Sequence, residues 1–240
     1  MGNLVIVRHG ESQWNSESRF TGWTDIDLTE KGIQQARRAG QVLAQAGFVF
    51  DCAFTSVLRR TIRSQWLMLD EMDLMFIPTV MHWRLNERHY GALTGHTRSE
   101  IMARFGEEQV WQWRRGYASR PPLMEATDPR APVHEARYRE VPPHLLPRGE
   151  SLEDTVMRVR VFWEDTIAPT LRQGRDVLIC IHGNSQRALV HLLEPAMAEE
   201  EVARFDVPNG VPLIYRLDND LNVLDRHSMA IPEATVSTLL

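Results

Sequence analysis

Two unbroken apolar runs, LVIV at 4–7 and VLICI at 177–181, stand far apart in the chain and end alike. Short runs rich in β-branched residues suit strands covered on both faces, as in a parallel sheet flanked by helices. The first runs into Arg8-His9-Gly10 and the second into His182-Gly183-Asn184. Ligands of parallel α/β sheets gather at the carboxyl ends of strands. The pattern therefore places both histidines on one sheet edge, each followed by a glycine that lets backbone approach a ligand closely.

Between these runs, helical and extended patterns alternate. Thr29 is a predicted N-cap, Ile33, Ala36, Gly40 and Leu43 recur along one helical face, and Gly47 ends that helix. A strand is predicted at Cys52–Thr55, a helix through Thr61–Leu69 and a further strand at Phe76–Val80. Ser151 with Asp154 resembles a capping box that opens an amphipathic run to Ile167, and Pro169 is expected to end it. From Ser119 to Pro147 seven prolines, at 121, 122, 129, 132, 142, 143 and 147, break any core-forming pattern. This surface excursion reads as a lid, a subunit contact or a mobile segment. The order of elements predicts an α/β fold, and without repeats or linkers residues 1–240 read as one domain.

Composition removes several functional classes. The chain has 240 residues, with 27 Lys+Arg against 32 Asp+Glu for a net charge of −5, so it lacks the basic balance of a nucleic-acid partner. That length builds a core without staples. Cys52 and Cys180 form no C-x-x-C and read as buried thiols in a reducing compartment. No apolar run approaches the roughly 18 residues of a membrane span, and no signal-peptide pattern precedes the first strand, so a cytoplasmic protein is expected. Lys31 is the only lysine, in the polar sequence TEKG. A P-loop or a Schiff-base lysine is thereby disfavoured, whereas abundant arginine permits bidentate phosphate binding. Nine histidines suggest metal, yet no H-E-x-x-H or similar spacing occurs.

The chemistry concentrates in RHGESQWN, residues 8–15, followed by Arg19-Phe20-Thr21-Gly22-Trp23. Guanidinium, hydroxyl, amide and glycine-adjacent N–H donors crowded into one loop suit an oxyanion, above all phosphate. An imidazole attacks only when neutral at the reacting nitrogen, and nearby arginines favour that state. His9 is the candidate nucleophile.

These motifs, with LNERHYGALTG, WRRG and the later HGNS, resemble the cofactor-dependent phosphoglycerate mutases of the histidine phosphatase superfamily, over nearly the whole chain. The resemblance implies a three-layer α/β/α sandwich with a mostly parallel sheet. It implies exchange of phosphate between the 2 and 3 positions of glycerate through a phosphohistidine, primed by 2,3-bisphosphoglycerate and without metal. By motif, His9 corresponds to the phosphorylated histidine, Glu87 to the proton donor and acceptor, and His182 to the transition-state stabiliser, with Arg8 and Arg60 beside them. The binding set carried over is Arg8, His9, Gly10, Glu11, Ser12, Gln13, Trp14, Asn15, Thr21, Gly22, Arg60, Glu87, Arg88, His89, Tyr90, Arg98, Arg114, Arg115, Gly183 and Asn184. Arg114-Arg115 bears on reaction class, because a mutase must hold the second anionic group that a simple phosphatase ignores. The resemblance also implies a homo-oligomer, dimer or tetramer, and small phosphoglycerates as partners, with no nucleic acid or membrane.

The match departs in places. Arg98 stands where most such mutases carry lysine, an exchange that the arginine bias of the whole chain explains. Ser16 follows WN where lysine is common, and Asn209 stands in NGVPL where threonine is common. The chain ends SMAIPEATVSTLL, without the lysine-rich tail of many relatives. A looser cover would admit water to phosphorylated His9 and raise the ratio of phosphatase to mutase activity. Two other readings stay open: a phosphomonoester phosphatase on the same fold, and a non-catalytic phosphate-binding module. Retention of His9, Glu87 and His182 together argues against the last, since a binding module gains nothing from an acid/base carboxylate.

Overall fold

The computed structural model describes residues 2–231, so the expectation about the chain's end falls largely on 232–240, outside the described residues. Six strands, β1 (Asn3–Arg8), β2 (Cys52–Thr55), β3 (Thr79–Met81), β4 (Val177–Ile181), β5 (Pro212–Leu217) and β6 (Val223–Ser228), form one sheet in the order β3-β2-β4-β1-β5-β6. β1 to β4 run parallel, and β5 pairs antiparallel with both β1 and β6. In chain order the helices are α1 (Gln13–Ser16), α2 (Glu30–Gln45), α3 (Arg59–Glu71), α4 (Arg98–Phe105), α5 (Glu107–Arg115), α6 (Leu152–Phe162), α7 (Ala168–Arg172), α8 (Gly183–Leu193) and α9 (Glu199–Arg204).

The two apolar runs form the sheet's centre because both of their faces are covered. Leu4 and Ile6 of β1 pack with Ile179, and on that side Val156 and Val159 of α6 and Leu189 of α8 complete the layer. Val5 and Val7 face the other way, onto Ala39 and Leu43 of α2 and Met68 of α3. Each such buried aliphatic side chain contributes on the order of 2 kcal/mol. The result is the three-layer α/β/α architecture expected from the sequence. Among the described residues no helix is long and apolar enough to cross a membrane.

Two predicted boundaries move. The strand expected at Phe76–Val80 is Thr79–Met81: Phe76 is 81% exposed, and pairing with β2 starts at Pro78, which offers only its carbonyl, to the Ala53 amide. Pro169 does not end the helix that Ser151 caps. A π-turn at Trp163–Ile167 shifts the ladder so that the Ala168 amide bonds the Trp163 carbonyl, and Pro169 then sits in the first turn of α7. There its missing N–H costs nothing.

The proline-rich excursion is held down rather than loose on the surface. It carries 3-10 turns at Pro132–His134, Ala136–Tyr138 and Pro143–Leu145, and Tyr138 is buried with its ring 5.0 Å from that of Trp23. Farther along, Arg137 bonds Asp25 at 3.0 Å and the Pro122 carbonyl accepts from the Ala92 amide at 2.8 Å.

Candidate active site

Because β1 and β4 are hydrogen-bonded neighbours, the residues just beyond their ends meet. The His9 amide bonds the Ile181 carbonyl at 2.9 Å, and the His9 and His182 rings lie edge to face with centroids 5.1 Å apart. His9 Nδ1 stands 2.6 Å from the Gly10 carbonyl. A carbonyl only accepts, so the neutral ring carries its proton on Nδ1 and leaves the Nε2 lone pair free. Burial, then the charges of Arg60 and Arg8, hold this imidazole well below its usual pKa. A ring so placed is held toward its neutral form with Nε2 unprotonated. The Asn209 amide group fixes the His9 carbonyl at 2.7 Å.

Arg8 and Arg60 flank the pair. Arg60 is buried and spends Nη1 and Nη2 on the carbonyls of Thr24 and Gly22, and burial lowers its pKa to about 10. Arg8 donates Nη1 to the Val207 carbonyl, while its Nε has no partner and is buried. His182 Nδ1 is likewise buried and unpartnered. Orphaned buried polar atoms of this kind cost free energy unless a ligand meets them.

Glu87 supplies the carboxylate. Its Oε1 accepts from the amides of Arg88, at 2.8 Å, and Asn184, at 3.1 Å, the latter in the first turn of α8. Trp23 Nε1 bonds the Glu87 carbonyl at 2.6 Å, and Arg158 reaches the carbonyls of Arg84, Asn86 and Glu87 while paired with buried Glu150 at 2.7 Å. The loop carrying the acid is thus fixed along its backbone, which leaves a carboxylate at a defined place in the cavity that His9 also lines.

A separate apolar cluster of Phe20, Leu93, Ile101, Val110 and Trp113 carries α4 and α5, and through them delivers Arg98, Arg114 and Arg115 to the same cavity. This cavity has a volume of about 120 Å³. Arg8, Arg19, Arg60, Arg98, Arg114, Arg115 and Arg187 line it, against the single carboxylate of Glu87. Burial and like charge lower Arg114 to about 10 and Arg187 to about 9. So many desolvated cations call for an anion of more than one charge. Among the described residues no three His, Cys, Asp or Glu side chains cluster as metal ligands.

Most residues assigned from sequence meet here: Arg8, His9, Asn15, Thr21, Gly22, Arg60, Glu87, Tyr90, Arg98, Arg114, Arg115, Gly183 and Asn184 all line the cavity. Asn15 spends Oδ1 on the Ser12 amide, so the group it offers a ligand is the Nδ2 donor. Eight others stand behind the wall. Gly10 packs against α2, Ser12 caps α1, and Glu11 turns away to Thr29 and Lys31. Gln13 is exposed, and Trp14 lies against Gly95. Arg88 bonds the Arg114 carbonyl with its guanidinium 5.1 Å from the Tyr90 ring centroid. His89 is a structural acceptor for the Gly91 amide, lowered to about 3 by burial and then Arg158. His182 touches the site through the His9 ring. The other seven stand outside the lining of the cavity.

Sequence reasoning missed Arg187, Arg19 and Phe20 on the wall. Arg187 was legible in principle: it follows Gly183 by four residues, one helical turn along the same face. Arg19 and Phe20 lie inside a quoted motif but carry no signal of their own.

The family described as histidine phosphatase superfamily (branch 1) matches residues 4–129 and 125–229. Among solved structures, the chain is similar to Bacillus stearothermophilus YhfR, at 25% identity and a TM-score of 0.67 over 91% of this chain and 92% of that one. It is similar to a mycobacterial glucosyl-3-phosphoglycerate phosphatase in complex with VO3, at 23% identity and TM-score 0.67 over 90% and 93%. The alpha-ribazole phosphatase of Shigella flexneri gives 22% identity and TM-score 0.67 over 93% and 94%.

Proposed function

The chain belongs to the histidine phosphatase superfamily, branch 1, and on that premise we propose that it is a phosphoryl-transfer enzyme working through a phosphohistidine at His9. The observation that carries this reading is the state of His9: buried, neutral, tied at Nδ1 and free at Nε2, beside the arginines and the Glu87 carboxylate. Phosphoryl transfer needs an in-line nucleophile, cations around the equatorial oxygens and a proton for the leaving oxygen. In this reading Nε2 of His9 attacks phosphorus, Arg8, Arg60 and His182 hold the transferred group, and Glu87 protonates the leaving hydroxyl. Returning the group to the other hydroxyl uses the same carboxylate as base.

Two substrate readings follow. Interconversion of 2- and 3-phosphoglycerate is supported by the ordered motifs and by Arg98, Arg114 and Arg115, which provide for a second anionic group in the cavity that holds His9. Hydrolysis of a phosphomonoester is at least as well supported, because two of the three structural neighbours are named as phosphatases. In the mutase reading 2,3-bisphosphoglycerate, when bound, supplies the phosphoryl group that loads His9. The residues present fit it: the arginines about His9 would hold one phosphate, and Arg98, Arg114 and Arg115 the second phosphate or the carboxylate. The same reading carries the expectation of a cytoplasmic, self-associating protein acting on small phosphate esters without metal.

The test is phosphorus NMR with 3-phosphoglycerate, with and without catalytic 2,3-bisphosphoglycerate, in the presence of a chelator. Formation of 2-phosphoglycerate, stimulated by the bisphosphate, supports the mutase. Free phosphate alone assigns the phosphatase, and no turnover with no label on His9 overturns both.

A further inference from the structure

Three of the cavity's arginines come from three different elements and are tethered to one short piece of backbone. Arg115 at the end of α5 donates Nη1 to the Ala203 carbonyl at 3.4 Å, Arg187 on α8 donates Nε to the Phe205 carbonyl at 3.1 Å, and Arg8 at the end of β1 donates Nη1 to the Val207 carbonyl at 2.8 Å. Ala203 lies in the last turn of α9, whose final carbonyls have no partner within the helix, and Phe205 and Val207 follow in the non-helical run to β5. That run is itself held. Val202 and Ala203 pack with Leu152, the Arg204 guanidinium lies 5.6 Å from the ring centroid of Trp111 on α5, and the Gly210 amide bonds the Arg8 carbonyl at 2.8 Å. Alternate carbonyls along residues 203–207 therefore set where the three guanidiniums stand.

Arg187 is the middle member. It is buried and lines the cavity, and Nε is its tether: among the described residues no acceptor meets Nη1 or Nη2. A Cβ on Gly183 would come within 3.4 Å of Arg187 Nη1 and 3.7 Å of Arg8 Nε, so the bare backbone there lets the two guanidiniums converge over the first turn of α8. Of the cations around Arg187, Arg115 opposes it most, ahead of Arg8. A carbonyl orients such a cation but leaves its charge uncompensated, so the three form a desolvated positive array. One phosphate answers the Arg8 end of that array, and a second anionic group is needed to answer the rest.

We propose that Arg187 is a specificity-determining residue whose terminal nitrogens bind a second anionic group between the Arg8 and Arg115 guanidiniums, and so select phosphate esters that carry a further anion close to the transferred phosphate. This deepens the phosphoryl-transfer reading and rests on it for placing the transferred phosphate beside His9. The selection comes from charge and from reach. Like charges held together raise the free energy of the empty site, and a ligand with two anions relieves more of that cost than a ligand with one. The tether at Phe205 adds reach, because it fixes the guanidinium before the ligand arrives and spares the ordering of a long side chain on binding.

The experiment is isothermal titration calorimetry at fixed ionic strength with ethylphosphonate and 3-phosphonopropionate, which differ only by a carboxylate. Transfer to a histidine cannot break their P–C bond, so binding is read without turnover. Wild type should favour the carboxylated probe by about tenfold or more. Arg187→Gln should weaken 3-phosphonopropionate by about ten- to a hundredfold and ethylphosphonate by less than about threefold, the retained ethylphosphonate affinity showing that the variant is folded. Arg187→Lys keeps the charge but loses the planar fork. It should show the same selective loss at a smaller size, and it carries the test where Arg187→Gln does not fold. Equal losses on the two probes in a folded variant, or an unchanged preference in either variant, would overturn the proposal. Failure to form phosphoenzyme from 2,3-bisphosphoglycerate, with the probe preference intact, would instead sink the phosphohistidine reading and leave Arg187 in its role.

Discussion

The Tyr138 hydroxyl accepts a hydrogen bond from Asn86 Nδ2 at 2.9 Å, which ties the proline-rich excursion to the residue before Glu87. Asn86 is fully buried, and it also holds the Val57 amide through Oδ1 and the Ser185 hydroxyl through its carbonyl. Removing one hydroxyl from this knot strands a buried amide. Tyr138→Phe should cost about 1 to 3 kcal/mol, read from the denaturation midpoint, and should lower kcat more than it raises KM because it loosens the acid rather than the anion contacts.

His9→Ala should abolish both phosphoenzyme and turnover. Protein quenched in alkaline detergent after incubation with labelled bisphosphate gives the readout, and persistence of an alkali-stable, acid-labile label would refute His9 as the nucleophile.

Glu87→Gln keeps acceptor atoms for the Arg88 and Asn184 amides but cannot supply a proton. Turnover should fall by about 10² to 10⁴, while inorganic phosphate binds nearly as before. A comparable loss of phosphate affinity would make Glu87 structural.

Arg115→Gln separates the two substrate readings. Loss of one charge-assisted contact, about 1.5 to 3 kcal/mol, should raise KM for 3-phosphoglycerate by ten- to a hundredfold and leave hydrolysis of p-nitrophenyl phosphate nearly unchanged. Equal losses on both would place Arg115 at the transferred phosphate.

Stability should fall on acidification below about pH 6.5. His89 is buried and lowered to about 3, and His9 and His182 are lowered well below 6.5. A histidine with a depressed folded pKa binds its proton first in the unfolded chain, so its contribution is complete above the unfolded value and is lost as pH drops toward the folded one. Each should add a slope of up to about 1.4 kcal/mol per pH unit, measurable from urea midpoints between pH 7 and 5. Saturating phosphate should flatten the part due to His9 and His182 and leave that of His89.

The centre of the fold was legible because hydrophobicity alone specifies it: LVIV and VLICI are buried on both faces, and their shared His-Gly endings follow from strand adjacency. Thr29 and Ser151 cap the helices they were expected to cap. Pro169 misled because a π-turn, invisible in a 3.6-residue pattern, removes the clash on which the rule depends. Motif adjacency told who stands near the site but not which way a side chain points: Glu11 follows Gly10 yet turns to Lys31. Ser56 Oγ lies 2.8 Å from His182 Nε2 and 2.6 Å from Thr61 Oγ1, which joins β2 and α3 to β4 across more than a hundred residues, a distance that local pattern does not bridge.

Lys31 stands on the first turn of α2 with its ammonium 3.1 Å from Glu11, two residues beyond His9, and is well exposed. As the only lysine side chain in 240 residues, it gives the protein, once the α-amine is blocked, a single address for amine-directed dyes on the outer side of the phosphate-binding loop. A fluorophore there would report movement of residues 9–15 during turnover without any engineered cysteine, and without touching a group that lines the cavity.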